Sequence, residues 1–165
     1  MALFTVFGNP VGHSLSPQIH AAFADQFGLT NSYTRTLCTP TQFASDVARF
    51  FRKGGAGANV TLPFKEAAIH VATHLSERAH EAGAVNTLVP LGQGQILGDN
   101  TDGLGLVRDL QNAGVDVPGL QVILLGAGGA ARGVLPALKQ AGVAQITLVN
   151  RTKARAEQIA SDFAH

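Results

Sequence analysis

Residues 122–152, "VILLGAGGAARGVLPALKQAGVAQITLVNRT", decide the fold class of this protein. An apolar run is followed by a glycine-rich turn, a stretch of helical length and a second apolar run, which is the order of a βαβ unit. Gly126, Gly128 and Ala131 have the spacing G-x-G-x-x-A, in which small residues allow a tight turn and the approach of a pyrophosphate. The stretch predicts a Rossmann-type dinucleotide site, and a plain glycine-rich turn is the alternative.

The residues after the second apolar run indicate which dinucleotide is bound. An NAD site has an Asp or Glu about 20 residues past the glycines, to bind the ribose hydroxyls. This sequence has Asn150, Arg151, Thr152 and Lys153 there instead. Because a guanidinium binds a 2′-phosphate through two parallel hydrogen bonds, Arg151 favours NADP over NAD. The alternative is that Arg151 and Lys153 only solvate the start of a helix.

Residues 1–102 continue the alternation of strand-like and helix-like segments, which predicts a mostly parallel α/β domain. Residues 84–103 predict two antiparallel strands joined by a glycine-rich turn. We place the domain boundary near residue 102, between a domain of residues 1–102 and an incomplete cofactor domain of residues 103–165. The other predicted segments are strands at 3–8, 32–39 and 57–63, and helices at 16–29, 39–55, 64–84 (broken near Leu75 and Ser76) and 103–114. The helix at 16–29 is predicted to have Ser16 as its N-cap and one apolar stripe of Ile19, Ala22, Phe23 and Phe27.

Composition restricts the class of protein. The 165 residues are 45% hydrophobic and 14% charged with a net charge of +1, which excludes a disordered polyelectrolyte and argues against nucleic acid as a partner. The apolar runs are shorter than a membrane span, and the first residues lack the basic region of a signal peptide. We therefore expect a cytoplasmic protein without membrane contact. The single Cys38 predicts a buried, small apolar role.

Two polar clusters follow apolar runs in the first domain, "NVTLPFK" at 59–65 and "GDNTDG" at 98–103. Ligands of open α/β sheets bind at the carboxyl ends of strands, so these clusters predict one wall of a crevice. Lys65 is suited to donate a proton to a carbonyl oxygen that becomes an alkoxide, and a nearby Asp102 would favour its charged form. On spacing alone, a solvated lysine at the start of a helix remains the alternative. The crevice candidates are Asn59, Thr61, Lys65, Asn100 and Asp102, with Asn86 nearby in the chain.

A third polar segment, "GHSLSPQIH" at 12–20, precedes a predicted helix. The hydroxyls of Ser14 and Ser16, together with free helix amides, predict an anion site. The alternative is that Ser16 is only the N-cap of that helix. His70 and His74 are one helical turn apart, but without a third ligand they do not predict a metal site.

Six blocks of the sequence resemble, in order, the signature blocks of the shikimate dehydrogenase family. The resemblance spans almost the whole chain and implies NADPH-dependent reduction of 3-dehydroshikimate to shikimate, a metal-free hydride transfer in aromatic amino acid biosynthesis. The blocks are "FGNPVGHSLSP", "GANVTLPFKEAA", "AGAVNTL", "GDNTDGLG", "LLGAGGAARG" and "VNRT".

The resemblance also implies roles for individual residues. Ser14 and Ser16 would bind the substrate carboxylate, and Lys65 with Asp102 would form the acid/base pair. Substrate hydroxyls would be bound by Asn59, Thr61, Asn86 and Asp102. The pyrophosphate would lie on Gly126, Ala127, Gly128, Gly129, Ala130 and Ala131. Asn150, Arg151 and Thr152 would surround the 2′-phosphate, with Lys153 and Arg155 as secondary contacts.

Members of this family continue well beyond the position that corresponds to His165, where this sequence ends in a predicted helix. A single βαβ unit cannot cover both faces of its sheet, so we expect exposed apolar surface and weak or absent catalysis. We expect a small-molecule substrate and a monomer or homodimer. The alternative functions are a quinate/shikimate dehydrogenase that uses NAD or NADP, and a non-catalytic ligand-binding fragment.

Overall fold

The computed structural model describes residues 1–164 and contains two β-sheets. His165, which the predicted last helix and cofactor domain include, lies outside the described residues. The first 99 residues form one sheet with its flanking helices. Their elements are β1 (Ala2–Gly8), α1 (Ser16–Gln26), β2 (Asn31–Leu37), α2 (Phe43–Arg52), β3 (Gly55–Val60), a 3-10 helix (Ala67–His70), β4 (His74–Leu75), α3 (Glu77–Ala82), β5 (Thr87–Gly92) and β6 (Gln95–Asp99).

The first sheet has six strands in the order β2-β1-β3-β5-β6-β4. β1 is parallel to both β2 and β3, and β4 is parallel to β6. β5 is antiparallel to β3 and to β6, which confirms the predicted antiparallel pair. The carboxyl ends of β1 and β3 therefore lie side by side, and the segments that follow them can form a common crevice.

The core of this sheet fixes the turn that carries Lys65. Phe64 is 2% exposed and stacks on Phe43 of α2, with ring centroids 4.6 Å apart. Phe43 also meets Phe7 of β1 edge to face. Burial of one such side chain contributes about 1.5–3 kcal/mol to stability. Phe64 is therefore firmly anchored, and it fixes the backbone directly before Lys65. Cys38 is buried in the same core, as predicted.

The predicted helical stretch 64–84 is wrong in its first half. The 3-10 helix and β4 occupy this first half, and α3 forms the second half. The first half is not a continuous helix because Thr73 pairs with β6. Its N–H and hydroxyl both donate to the carbonyl of Ile96, at 2.8 and 3.0 Å. His70 and His74 therefore belong to different elements. The predicted break at Ser76 is confirmed, since Ser76 caps α3 by accepting from Ala79 N–H.

Helix α1 differs from the prediction in its start and in its apolar face. Leu15 is the N-cap residue and Ser16 lies inside the helix, so the expectation of Ser16 as N-cap is wrong. The apolar stripe is exposed, with Phe23 at 52% and Phe27 at 69%. Both rings border an open groove of about 700 Å³. Only Ala24 of this helix is buried, because α1 covers the edge of the sheet rather than its centre.

The remaining described elements form a connecting helix and a βαβα unit. β7 and β8 are parallel and in register, with Leu124 opposite Leu148. Both helices of this unit pack on one face of the pair, where Leu135 and Ile159 are buried. The elements are α4 (Asp102–Asn112), β7 (Gln121–Leu125), α5 (Gly129–Gln140), β8 (Gln145–Val149) and α6 (Lys153–Asp162).

The opposite face of the two-stranded sheet is open and apolar. Ile123 is 69% exposed, Leu125 79% and Val149 48%. The predicted exposure of apolar surface is therefore confirmed. Among residues 1–164, no helix is both long and apolar enough to cross a bilayer.

Helix α4 joins the two parts of the molecule and packs closely against α5. A Cβ atom on Gly103 would lie 2.6 Å from Cβ of Ala137 and 2.7 Å from the carbonyl oxygen of Gly133. Such a short approach is possible only because both helices have glycine at the contact. The start of α4, at Asp102, is thereby placed beside the first turns of α5.

Candidate functional site

Lys65 lies at the end of a short turn that follows β3. The turn begins with Thr61, whose N–H donates to the carbonyl of Phe7 at 2.9 Å, and is closed by a 2.9 Å bond from Phe64 N–H to the Thr61 carbonyl. The carbonyl of Lys65 accepts from Val85 N–H at 2.8 Å. These bonds and the buried Phe64 ring hold the backbone of Lys65, and the side chain extends into a crevice.

The Lys65 and Asp102 side chains meet in that crevice. The ammonium lies 2.7 Å from Oδ2 of Asp102, and the two side chains are 15% and 23% exposed. Asp102 is the first residue of α4, and its N–H donates to Oδ1 of Asn100 at 3.0 Å. Asn100 is 3% exposed and donates to the carbonyl of Ala84. A carboxylate at a helix start and a shielded ammonium thus form a fixed ion pair.

A chain of hydrogen bonds leads from β2 to the same carboxylate. The hydroxyl of Tyr33 donates to Oδ1 of Asn59 at 2.6 Å, and Nδ2 of Asn59 donates to Oγ1 of Thr87 at 3.3 Å. Thr87 donates to Oδ1 of Asn86 at 2.8 Å. Nδ2 of Asn86 then donates to Oδ1 of Asp102 at 2.8 Å. Every donor in this chain points toward Asp102, so the chain fixes the orientation of both amides and of the carboxylate.

The rings of Tyr33, which begins the hydrogen-bond chain, and of His20, which stacks on it, are uncharged at neutral pH. Burial raises the pKa of Tyr33 to about 12, and a hydrogen bond with Ser16 opposes that shift. Burial lowers the pKa of His20 from its usual 6.5. The His20 and Tyr33 rings are stacked with centroids 4.3 Å apart. Tyr33 therefore remains a hydrogen-bond donor and His20 a neutral ring.

The two serines lie at the other end of the crevice. The hydroxyl of Ser14 donates to the hydroxyl of Ser16 at 3.1 Å, and Ser14 accepts from Ser16 N–H at 3.3 Å. Together with the residues above they border an open cleft of about 340 Å³, the first cleft. All seven predicted substrate-binding residues line it: Ser14, Ser16, Asn59, Thr61, Lys65, Asn86 and Asp102. Asn100 does not, because its side chain supports Asp102 from behind.

A second cleft of about 210 Å³ separates the Lys65 turn from the glycine-rich turn, and Lys65 borders both clefts. A Cβ on Gly129 would lie 2.8 Å from Cβ of Lys65, so the start of α5 touches the lysine directly. Gly126 has φ +121°, a conformation that favours glycine. A Cβ on Gly128 would meet no atom within 4 Å, which leaves room for a ligand over the turn. The narrow turn at Gly126, the open space over Gly128 and the start of α5 together suit the binding of a dinucleotide pyrophosphate.

The residues predicted around the adenosine end differ in their surroundings. Arg155 borders the second cleft beside Gly128, Gly129 and Ala130. The Asn150 side chain donates to the carbonyl of Thr152 at 2.8 Å, and Arg151 is exposed at the end of β8. Lys153 is 88% exposed and lies 3.3 Å from Glu157. Arg155 is thus nearer the glycine-rich turn than its role as a secondary contact suggested.

Sequence reasoning missed three polar residues that support the site. Tyr33 and Thr87 belong to the hydrogen-bond chain, and Thr101 Oγ1 accepts from Nδ2 of Asn86 at 3.0 Å. Thr87 directly follows Asn86, and Thr101 directly precedes Asp102. Their neighbourhood to predicted site residues could have indicated a role in the site. Tyr33 lies on a different strand, and only the fold brings it near. Within residues 1–164, no three His, Cys, Asp or Glu side chains are grouped as a metal site would need.

Two family models match this chain. The model described as the shikimate dehydrogenase substrate binding domain matches residues 6–88, and the model described as shikimate / quinate 5-dehydrogenase matches residues 109–165. The chain belongs to the shikimate dehydrogenase family. The first model covers most of the six-stranded sheet, and the second begins within α4 and covers the βαβα unit.

Curated members of the family are similar over nearly the whole chain. Shikimate dehydrogenase (NADP(+)) of Idiomarina loihiensis is 54% identical over 158 residues, which are 96% of this chain and 57% of that protein. The protein of the same name from Xanthomonas campestris pv. campestris is 55% identical over 94% of this chain and 55% of its own length. The chain therefore spans little more than half the length of these relatives.

Solved structures of the family have the same architecture. Shikimate 5-dehydrogenase from Thermus thermophilus, in complex with NADP(H) and shikimate, is 38% identical with a TM-score of 0.90, over 99% of this chain and 61% of that chain. Shikimate dehydrogenase from Aquifex aeolicus is 36% identical with a TM-score of 0.92, over 99% and 61%. This chain has the α/β fold of the family, with only part of the Rossmann-type second domain.

Proposed function

We propose that this chain carries the substrate domain and the phosphate-binding part of an NADP-dependent shikimate dehydrogenase, which reduces 3-dehydroshikimate to shikimate in aromatic amino acid biosynthesis. One observation carries the proposal: Lys65, paired with Asp102 at 2.7 Å in the first cleft, also borders the second cleft. A proton donor is thus available to a substrate in the first cleft at the side that faces the glycine-rich turn. The names of the similar proteins support the same reaction.

The first cleft suits a hydroxylated ring with one carboxylate. Ser14 and Ser16 present two hydroxyls 3.1 Å apart, which bind the carboxylate. Asn59, Thr61 and Asn86 bind ring hydroxyls together with Asp102. The hydrogen-bond chain keeps the amide oxygen and nitrogen of each asparagine in a fixed orientation.

Lys65 supplies the proton in the proposed reaction. The ketone carbon of 3-dehydroshikimate gains a hydride and the ketone oxygen gains a proton from Nζ of Lys65. Asp102 holds the ammonium in place and stabilises its charge until the proton leaves. The amine then recovers a proton from water, because the first cleft is open to solvent.

NADPH, when bound, supplies the hydride. Residues 126–131 would hold its pyrophosphate at the start of α5, where amides and the helix dipole favour anions. Asn150, Arg151 and Thr152 would bind the 2′-phosphate, with Lys153 and Arg155 as secondary contacts. The domain boundary near residue 102 puts the acid/base pair in the first domain and the cofactor site in the second. The protein is proposed to act in the cytoplasm as a monomer or homodimer.

The test measures NADPH formed from shikimate and NADP⁺, in a single turnover with protein in excess, and shikimate binding by saturation-transfer NMR. Hydride transfer by the wild-type chain is expected to be slow, and Lys65→Met and Asp102→Asn are expected to slow it by a further factor of roughly 100 or more with shikimate still bound. Lys53→Met, at the exposed end of α2, is the matched control and should behave as wild type. If shikimate does not bind to the wild-type chain, the proposal is wrong. If Lys65→Met loses affinity but not rate, Lys65 is a binding residue.

A further inference from the structure

Alternate side chains of the edge strand β2 contact the first part of α1 and the segment just before it. Side chains two residues apart on a strand share a face, and Tyr33 and Arg35 both face α1. Tyr33 stacks on His20 at 4.3 Å. Nε of Arg35 donates to the carbonyl of Ser14 at 2.9 Å, and its second nitrogen donates to Oε1 of Gln18 at 3.1 Å. Arg35 therefore connects the Ser14 turn to the start of α1 through two hydrogen bonds.

The dipole of α1 is unfavourable for the positive charge of the Arg35 guanidinium. Arg35 lies at the N-terminal end of α1, and the helix dipole is positive there. No negatively charged side chain is paired with Arg35 among the described residues, since both its partners are neutral oxygens. A bound anion in front of Ser14 and Ser16 would make this charge favourable.

The ion pair that lines the first cleft supplies no net positive charge to the two serines. Apart from two histidines, the charged side chains that line it in the described chain are Lys65 and Asp102, which neutralise each other. Burial lowers the pKa of His20, so this ring does not supply the charge at neutral pH. Hydroxyls alone bind a carboxylate weakly against water, and a nearby cation strengthens the attraction.

We propose that Arg35 is a positioning residue for the substrate carboxylate: it fixes the Ser14 carbonyl and adds positive potential behind the two serines. The inference rests on the proposed function, because it assumes that the serine pair binds a carboxylate. Arg35 does not line the cleft itself, so it acts through the Ser14 turn and through its field.

The test compares the affinities of shikimate and of its neutral methyl ester, by NMR titration of the whole chain. Arg35→Gln is expected to weaken shikimate binding roughly threefold to tenfold and to weaken ester binding less, because the ester is affected by the loosened turn but not by the lost charge. Arg35→Lys should retain part of the affinity, since it keeps the charge but not the two-point contact. The loss should shrink at high salt, because screening acts on the field and not on packing. Arg52→Gln, at the exposed end of α2, is the control.

A second readout does not need a ligand. If Arg35 holds the Ser14 turn, Arg35→Gln should speed hydrogen exchange at the amides of residues 14–18 and leave exchange in β3 unchanged. Equal affinities of wild type and Arg35→Gln for shikimate would overturn the inference while the proposed function stands. If wild type binds no shikimate, the proposed function is wrong, and unchanged exchange at residues 14–18 would then overturn the positioning role as well.

Discussion

The ammonium of Lys65 lies 2.7 Å from the carboxylate of Asp102, although the two residues are 37 positions apart in the chain. Each is placed by a different part of the fold. Lys65 follows a turn anchored by the buried ring of Phe64, and Asp102 opens the helix that packs against α5. The pair thus depends on both the first sheet and the joint to the second unit.

The contact between Gly129 and Lys65 should tolerate no side chain. In Gly129→Ala the new methyl would lie 2.8 Å from Cβ of Lys65, so one of the two must move. We expect a loss of roughly 1–3 kcal/mol in the free energy of unfolding, measured with urea. Gly128→Ala is the matched control, because its Cβ would meet nothing within 4 Å. It should keep the stability and weaken NADP binding, and equal instability of both variants would contradict the prediction.

Asn86 should be the most costly single amide of the site. Its side chain donates to Thr101 and Asp102 and accepts from Thr87, and the residue is 8% exposed. Asn86→Ala leaves buried polar groups unpaired, so we expect about 1–3 kcal/mol lower unfolding free energy. Asn112→Ala, at the exposed end of α4, serves as the comparison. Similar small losses in both variants would argue that water replaces the lost partners.

Asp99 should make the stability of the protein depend on pH in the acidic range. The paired Arg78 guanidinium, with help from Ser76 and the Asn100 N–H, lowers the pKa of Asp99 from 3.8 to about 2. Because the folded state has the lower pKa, this stabilisation is complete above the unfolded value of 3.8 and disappears as the pH falls toward 2. Urea unfolding at several pH values should show this decline.

The Asp99→Asn variant tests the assignment of that decline. It should be less stable than wild type at neutral pH, and the difference should narrow between pH 3.8 and 2. A constant difference over this interval would show that Asp99 does not titrate with the lowered pKa. Arg78→Gln should behave like Asp99→Asn, since the two side chains form a two-point ion pair.

Arg151 should decide between the two dinucleotides. We expect Arg151→Ala to weaken NADP binding about tenfold or more and to leave NAD binding unchanged, because only NADP has a 2′-phosphate for the guanidinium. Lys153→Ala should have a smaller effect, since Lys153 is paired with Glu157 and 88% exposed. Titration calorimetry with both dinucleotides measures the difference. Equal losses for NADP and NAD would remove Arg151 from the phosphate site.

Local patterns were sufficient to predict every strand of the described chain except β4, and the position of both glycine-rich segments. The apolar runs that became β1, β3, β7 and β8 were predicted because burial and strand length leave little choice. Residues 64–84 were predicted poorly, since Thr73 gains hydrogen bonds to β6 that no local pattern reveals. The stripe of Phe23 and Phe27 was interpreted as a helix face, but periodicity does not show what covers that face.

The candidate site was predictable to the extent that its residues follow strands. Asn59 lies at the end of β3, Thr61 and Lys65 follow that strand, and Asp102 follows β6, so the rule for strand ends brought them together. Tyr33 and Arg35 were missed because their partners lie on other elements: Tyr33 bonds to Asn59 of β3, and Arg35 bonds to Ser14 just before α1. Side-chain alternation along β2 gives their common face, but only the strand order shows that this face meets the site.

Because one ammonium borders both clefts, ligands in the two clefts cannot be thermodynamically independent. A charged group near Lys65 in one cleft changes the potential felt in the other. Linkage then requires symmetry: whatever factor a dinucleotide imposes on the dissociation constant of shikimate, shikimate imposes the same factor on that of the dinucleotide.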